Sequence, residues 1–215
     1  MSAHIVWDWN GTLFDDQHLV VGALNAVLDD VGLPRTDLST YQRLYTRPVQ
    51  RFYERLFGRP IDEDEWQRID DVYHDGYRST LYDARLTADA MIALETAGNG
   101  GASQSLLSMW RHVELVPLVD QLGIADRFVR IDGLRGGGGG NKAPFLEAHL
   151  QRAVADRPAH QVVVIGDALD DAAAASHVGA RCVLYDGGSH PREQLETTGV
   201  PVASSLTDAV ELAAA

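Results

Sequence analysis

The run Ala3-His4-Ile5-Val6-Trp7-Asp8, continued by Trp9-Asn10-Gly11-Thr12-Leu13, decides how the rest of the chain is read. Its first half has the length and apolar character of a short buried strand, and Asn10-Gly11 is a turn dipeptide that breaks it. An acid, Asp8, therefore stands where a strand gives way to a loop. The same arrangement recurs at Val162-Val163-Val164-Ile165-Gly166-Asp167, with a further acid at Asp171. In an open parallel sheet, ligands bind beyond the carboxyl ends of the strands. Both acids thus fall where chemistry is expected.

Outward from Asp8, Gln17 to Val31 carries Leu19, Val20, Ala23, Leu24, Val27, Leu28 and Val31 at three- and four-residue spacings, then Gly32 and Pro34. This is an amphipathic helix with a stop. From Ser39 to Thr80 all elements read as helical: Ser39 caps one segment, Pro48 opens the next, Gly58 closes it, and Asp62 with Glu65 forms a capping-box pattern. After Leu86 helices alternate with short apolar runs at Ser105–Ser108, Phe128–Ile131, Val162–Ile165, Cys182–Tyr185 and, more weakly, Val200–Ala203. Such alternation predicts an α/β fold, a Rossmann-like parallel sheet covered by helices on both faces. Residues 1–15 and 86–215 form this core, and 16–85 form an inserted all-helical subdomain above it. The five glycines Gly136 to Gly140 read as a mobile loop.

The 215 residues, 45% hydrophobic and 23% charged, describe a globular protein able to bury a core of its own. A formal charge of -13 repels polyanions, which makes nucleic acid and anionic membranes poor partners. The single cysteine, Cys182, forms no intramolecular disulfide and is expected to fill core, in keeping with a reducing cytoplasm. No apolar stretch reaches transmembrane length and Met1 to Val6 is no signal sequence, so the expected location is cytoplasmic. The eight histidines show no metal-binding spacing and read as solvated or locally bonded.

Four positions at strand or helix ends carry reactive side chains: Asp8, Ser108, Lys142, and Asp167 with Asp171. Together they offer oxygen ligands for a hard divalent cation, a nucleophile, and donors for phosphoryl oxygens. Asp8-Trp9-Asn10-Gly11-Thr12-Leu13 resembles the first motif of the haloacid dehalogenase-like superfamily. Ser108, Lys142, and Gly166-Asp167 with Asp171 match its later motifs in order, and within the superfamily the chain is most similar to phosphoglycolate-phosphatase-like hydrolases. The resemblance implies a helical cap after the first motif and an aspartyl-phosphate mechanism with Asp8 as nucleophile. It further implies Mg²⁺ held by Asp8, the Asn10 carbonyl, Asp167 and Asp171. Thr12, Ser108 and Lys142 would bind the phosphoryl group. The implied substrate is a small phosphorylated metabolite, and the assembly a monomer or homodimer.

The sequence departs from the family pattern at Asn10, where most phosphatases of the family carry a second aspartate as general acid and base. A carboxamide cannot exchange protons at neutral pH, and loss of such a group costs about 10²- to 10⁴-fold in rate. The expectation is a slow, Mg²⁺-dependent hydrolase that favours activated leaving groups, in which another group or water supplies the proton and Asn10→Asp raises turnover of alkyl phosphates. The alternatives are a non-catalytic phospho-ligand binder and a metal-free dehalogenase. Within the insertion, Arg47, Arg51 and Arg55 lie on or near one helical face, with Arg47 the first choice for contacting substrate. Trp7 and Trp9 flank Asp8 on opposite faces, one expected in the core and the other lining the cleft.

Overall fold

The computed structural model describes residues 3–136 and 140–215. The glycine run falls largely on 137–139, outside the described residues. The chain opens with β1 (His4–Trp7), β2 (Phe14–Asp15) and four successive helices, α1 (Gln17–Asp30), α2 (Leu38–Leu44), α3 (Val49–Phe57) and α4 (Glu63–Thr80). Strand β3 (Arg85–Leu86) follows, then α5 (Ala90–Asn99), β4 (Ser103–Arg111), α6 (His112–Gln121), β5 (Arg130–Leu134) and α7 (Ala143–Ala153). The remainder is β6 (Val162–Gly166), α8 (Leu169–Val178), β7 (Arg181–Tyr185), α9 (Arg192–Leu195), β8 (Val202–Ala203) and α10 (Leu206–Ala214).

Six strands form one parallel sheet in the order β5-β4-β1-β6-β7-β8. The chain builds outward from β1 to β5 on one side and to β8 on the other, so the order reverses beside β1. That crevice is where an open α/β sheet binds ligands. Both faces are covered, which explains why β1 and β6 read as continuous apolar runs. Ile5, Trp7, Leu106, Val163 and Ile165 face one core, shared with α5 and α10; Val6, Leu107, Val162 and Val164 face the other, under α7 and α8. The period of two along a strand produces this division.

Strands β2 and β3 pair antiparallel, Asp15 opposite Arg85, and bring the two ends of the helical stretch side by side. Within it α4 lies on α1, with Gly76 facing Ala23. The cap of α2 is Asp37, whose side chain accepts the Thr40 N–H at 2.8 Å, and not Ser39, which lies one residue inside the helix. An acid can cap as well as a hydroxyl, and here it stands at the residue with extended backbone. Gly58 ends α3 in the left-handed region at φ 68°, and Asp62 caps α4 through the Glu65 N–H.

Trp7 and Trp9 do not divide between core and cleft. Trp7 ends β1 and Trp9 lies in the turn after it, and both indoles are fully buried in the larger core; Trp7 donates to Gln104 Oε1 and Trp9 stacks on Phe14 at 4.9 Å. Cys182 is buried in the second core.

Under α7 lies a polar chain that no sequence spacing announces. Asp132 accepts from His149 Nδ1 at 2.8 Å, His149 Nε2 meets Ser105 Oγ at 2.7 Å, and His4 bridges Ser105 and Ser103 at 2.9 and 2.8 Å. His4 is fully buried, and its pKa falls from 6.5 to about 4 through burial, with Arg157 and His149 adding to the effect. A histidine held neutral in the fold stabilises it above pH 6.5 and loses that contribution as pH drops towards 4. The full shift corresponds to roughly 3 kcal/mol at most. His4→Asn is therefore expected to flatten the fall in stability between pH 6.5 and 4 in urea titrations. Parallel pH profiles for variant and wild type would exclude this account.

Candidate active site

The registers of β1 with β6 place Trp7 opposite Ile165, so the chain leaves both strands at the same level and delivers Asp8 and Asp167 to one point. Helix α8 then returns Asp171 from its first turn, and Lys142 reaches the same point from the start of α7. Asp8, Asp167 and Asp171 each present a carboxylate oxygen, all within 4.8 Å of one another. Lys142 Nζ donates to Asp8 Oδ1, and to Asp171 Oδ1 at 2.5 Å. All four side chains are almost wholly buried.

Small residues make room for this cluster. A Cβ at Gly166 would stand 2.3 Å from the Asp171 carboxyl, and one at Gly188 would be 2.2 Å from Asp167. Gly11 adds a conformational demand, with φ 73° in the left-handed region and Asp167 2.5 Å from the place of a Cβ.

Burial pushes the Asp8 carboxyl well above the usual carboxylate range; Lys142 opposes this, while Asp171 and Asp167 reinforce it. Asp167 is raised as well, by burial first and then by Asp171, although the Ser189 N–H (2.5 Å) and Thr12 Oγ1 (3.1 Å) donate to it. Burial disfavours the charge on Lys142, but Asp171 and Asp8 outweigh it and hold the ammonium above its ordinary range. Three carboxylates against one ammonium leave the cluster negative in a low-dielectric setting. An all-oxygen donor set with excess negative charge fits a hard divalent cation such as Mg²⁺.

The other expected residues fall into place differently. Asn10 faces the cleft, and its Nδ2 donates to Asp16 Oδ2 at 2.8 Å and to the Tyr77 hydroxyl at 3.0 Å. Ser108 sits inside β4 where the register with β5 shifts; it donates to Asn10 Oδ1 at 3.3 Å and accepts the Trp110 N–H at 2.9 Å. Thr12 is fully buried, its hydroxyl turned to Asp167 and Asp8. It supports the carboxylates from behind, because the turn at Asn10-Gly11 carries it past the cleft. Arg47 lines the cleft with its guanidinium 3.8 Å from Asp170, whereas Arg51 and Arg55 are exposed to solvent. Arg47 precedes α3 and is not on its face.

Asp16 and Tyr77 are the site residues that sequence reasoning missed. The Tyr77 hydroxyl donates to Asp16 Oδ2 at 2.5 Å and the Gly11 N–H to Oδ1 at 2.9 Å. Burial raises the Asp16 pKa, with the Tyr77 and Asn10 bonds acting against the rise. The Asp15-Asp16 pair ahead of α1 was a visible signal, but nothing local distinguishes a cap from a site acid. Tyr77 lies 67 residues from Asn10 along the chain.

A sequence profile described as HAD-hydrolase-like matches residues 139–209, the stretch that supplies Lys142, Asp167 and Asp171. Two curated proteins named phosphoglycolate phosphatase are similar over nearly the whole chain. The one from Nitrosospira multiformis is 26% identical, covering 97% of this chain and 94% of its own. Over residues 139–209 the chain is similar to the haloacid dehalogenase-like hydrolases. The second relative, from Caulobacter vibrioides, is also 26% identical, covering 92% of this chain and 84% of its own. Among solved structures, a haloacid dehalogenase-like hydrolase from Streptococcus pneumoniae superposes with a TM-score of 0.83 at 18% identity, covering 98% and 97% of the two chains. At that identity the likeness concerns the fold. Both curated relatives carry the name of a phosphatase.

Proposed function

We propose that this protein is a phosphatase-type hydrolase that cleaves a small organic phosphate ester in two steps through phospho-Asp8, with residues 16–85 as a cap over the cleft. The observation that carries the reading is the convergence of Asp8, Asp167, Asp171 and Lys142 at the adjacent ends of β1 and β6. An Asp8 oxygen attacks phosphorus, the ester P–O bond breaks, and water then attacks phosphorus to free phosphate and regenerate the carboxylate. Lys142 orients Asp8 and offsets charge on the phosphoryl oxygens. Asp8, Asp167, Asp171 and the Asn10 carbonyl are the groups that would hold Mg²⁺, whose bound charge would lower repulsion between nucleophile and substrate. Among the described residues no helix is long and apolar enough to cross a membrane.

Asn10 has a structural reason as well as a chemical cost. Its amide donates to Asp16, so an aspartate in its place would set two carboxylates 2.8 Å apart. The pair would have to share a proton. The expectation of a faster Asn10→Asp enzyme therefore narrows: the double variant Asn10→Asp/Asp16→Asn restores a donor opposite an acceptor and is expected to hydrolyse alkyl phosphates at least about tenfold faster than wild type. The single variant should gain less.

Phosphate release from acetyl, aryl and alkyl phosphates, measured with Mg²⁺ and with chelator, tests the function. Turnover with Mg²⁺ and none with chelator is expected. Absence of hydrolysis of every ester by folded protein would instead favour the phospho-ligand-binding reading, to which Asn10 also lends itself.

A further inference from the structure

The carboxylate cluster and the space beyond it, between the helical insertion and the ends of the strands, form one chamber of about 440 Å³. That volume lies in the range of small-molecule pockets, about 300 to 1,000 Å³. Its walls are aromatic: Tyr45, Phe52 and Trp66 on one side, Tyr73, Tyr77 and Trp110 on another. The rings brace each other, Tyr77 against Trp110 at 4.8 Å and Tyr45 against Phe52 at 6.0 Å, so the walls are preformed.

Charge in the chamber disfavours an acidic leaving group. Apart from Lys142, which is engaged by Asp8 and Asp171, the cation lining it is Arg47, already 3.8 Å from Asp170. A substrate carboxylate would compete for that guanidinium and otherwise meet ring faces, Asp16 and Asp70. Burying an unpaired charge is costly. In contrast, Trp110, Gln17 and His74 line the chamber, and Trp110 Nε1, Gln17 Oε1 and His74 Nδ1 are buried without hydrogen-bond partners. Buried groups of this kind await a ligand or water.

We propose that the preferred substrate is the monophosphate of an aromatic hydroxyl compound, its ring held between the chamber walls and bearing an acceptor for the Trp110 N–H. This rests on the phosphatase reading above. Asn10 points the same way independently. Asn10 has no carboxyl proton to give a leaving oxygen, and the Asp16 carboxyl beside it is engaged by Asn10, Tyr77 and the Gly11 N–H, which favours an ester whose oxygen parts as an anion: a phenol ionises near pH 10, far more readily than an aliphatic alcohol. On attack by Asp8 the P–O(aryl) bond breaks, the electron pair leaves on the aryl oxygen, and solvent supplies the proton afterwards.

Steady-state kinetics with Mg²⁺ on phenyl, naphthyl and 4-carbamoylphenyl phosphates, beside phosphoglycolate, glycerol phosphate and acetyl phosphate, tests the assignment. Aryl esters are expected to exceed phosphoglycolate in kcat/KM by at least about 100-fold. Trp110→Leu should lower kcat/KM for the aryl esters about tenfold more than for acetyl phosphate. Trp110→Phe keeps the ring and removes only the N–H, so it should reduce the carbamoyl ester about three- to tenfold and spare phenyl phosphate. Apart from turnover, phenyl phosphate should quench tryptophan fluorescence at concentrations where inorganic phosphate does not. Phosphoglycolate turned over as well as the aryl esters, or unchanged aryl kinetics in both Trp110 variants, would overturn the substrate assignment and leave the phosphatase reading intact. Failure with every ester, acetyl phosphate included, would overturn both.

Discussion

Asp8→Asn is expected to lower phosphate release by at least about 10³-fold with the fold preserved, because the carboxamide supplies no anionic oxygen to attack phosphorus. The substitution is nearly isosteric and removes one of three mutually repelling carboxylates, so no thermal destabilisation beyond about 1 kcal/mol is expected from it. Mass analysis of acid-quenched wild type during turnover should find one added phosphoryl group on the peptide containing Asp8, absent from the variant. Appreciable turnover by Asp8→Asn, or a phosphoryl group on another residue, would refute the assignment of the nucleophile.

Lys142→Met should have the largest effect on stability. The ammonium is the cation in direct contact with Asp8 and Asp171, and its removal leaves three buried carboxylates within 4.8 Å. Breaking a buried ion pair by deleting one partner costs about 3 to 5 kcal/mol, and at this chain length each kcal/mol lowers the melting temperature by about 2 to 4 °C. A fall of roughly 6 to 20 °C follows. The deficit should narrow when Mg²⁺ is added, since a divalent ion replaces the missing positive charge. Equal melting temperatures for variant and wild type in the presence of chelator would show that the carboxylates are not charged together.

The fold was legible because each of its decisive features is local. Val162 to Ile165 and Ile5 to Trp7 are apolar without interruption, as strands buried on both faces must be, and the three- and four-residue spacing in α1 fixes its buried stripe. Asp8, Lys142, Asp167 and Asp171 were legible as a set from the ends of strands and the start of a helix, where the fold collects ligands. Their proximity across more than 130 residues between Asp8 and Lys142 rested on the register of β1 with β6 and on how α7 docks.

Elsewhere local reading failed for identifiable reasons. Thr12 sits in the same hexapeptide as Asp8, yet turns beneath the carboxylates because the chain reverses at Gly11. Trp9 looked free to line the cleft but stacks on Phe14, while Trp110, from a strand whose register shifts, takes that position. Spacing along a chain carries no information about which way a residue turns after a bend or a bulge.

Composition, period and turn chemistry thus determined by themselves that a parallel α/β sheet forms, that helices are inserted after β1, and that acids end two of its strands. These follow from short-range sterics and from the need to bury apolar faces. Tertiary structure alone decided that Asn10 is bound to Asp16 and Tyr77, that His4 and His149 share a buried chain with Asp132, and that aromatic rings from separate helices enclose one chamber. Each of these depends on contacts between segments distant in sequence, whose partners are chosen by packing of the whole molecule and by the exclusion of water from between them.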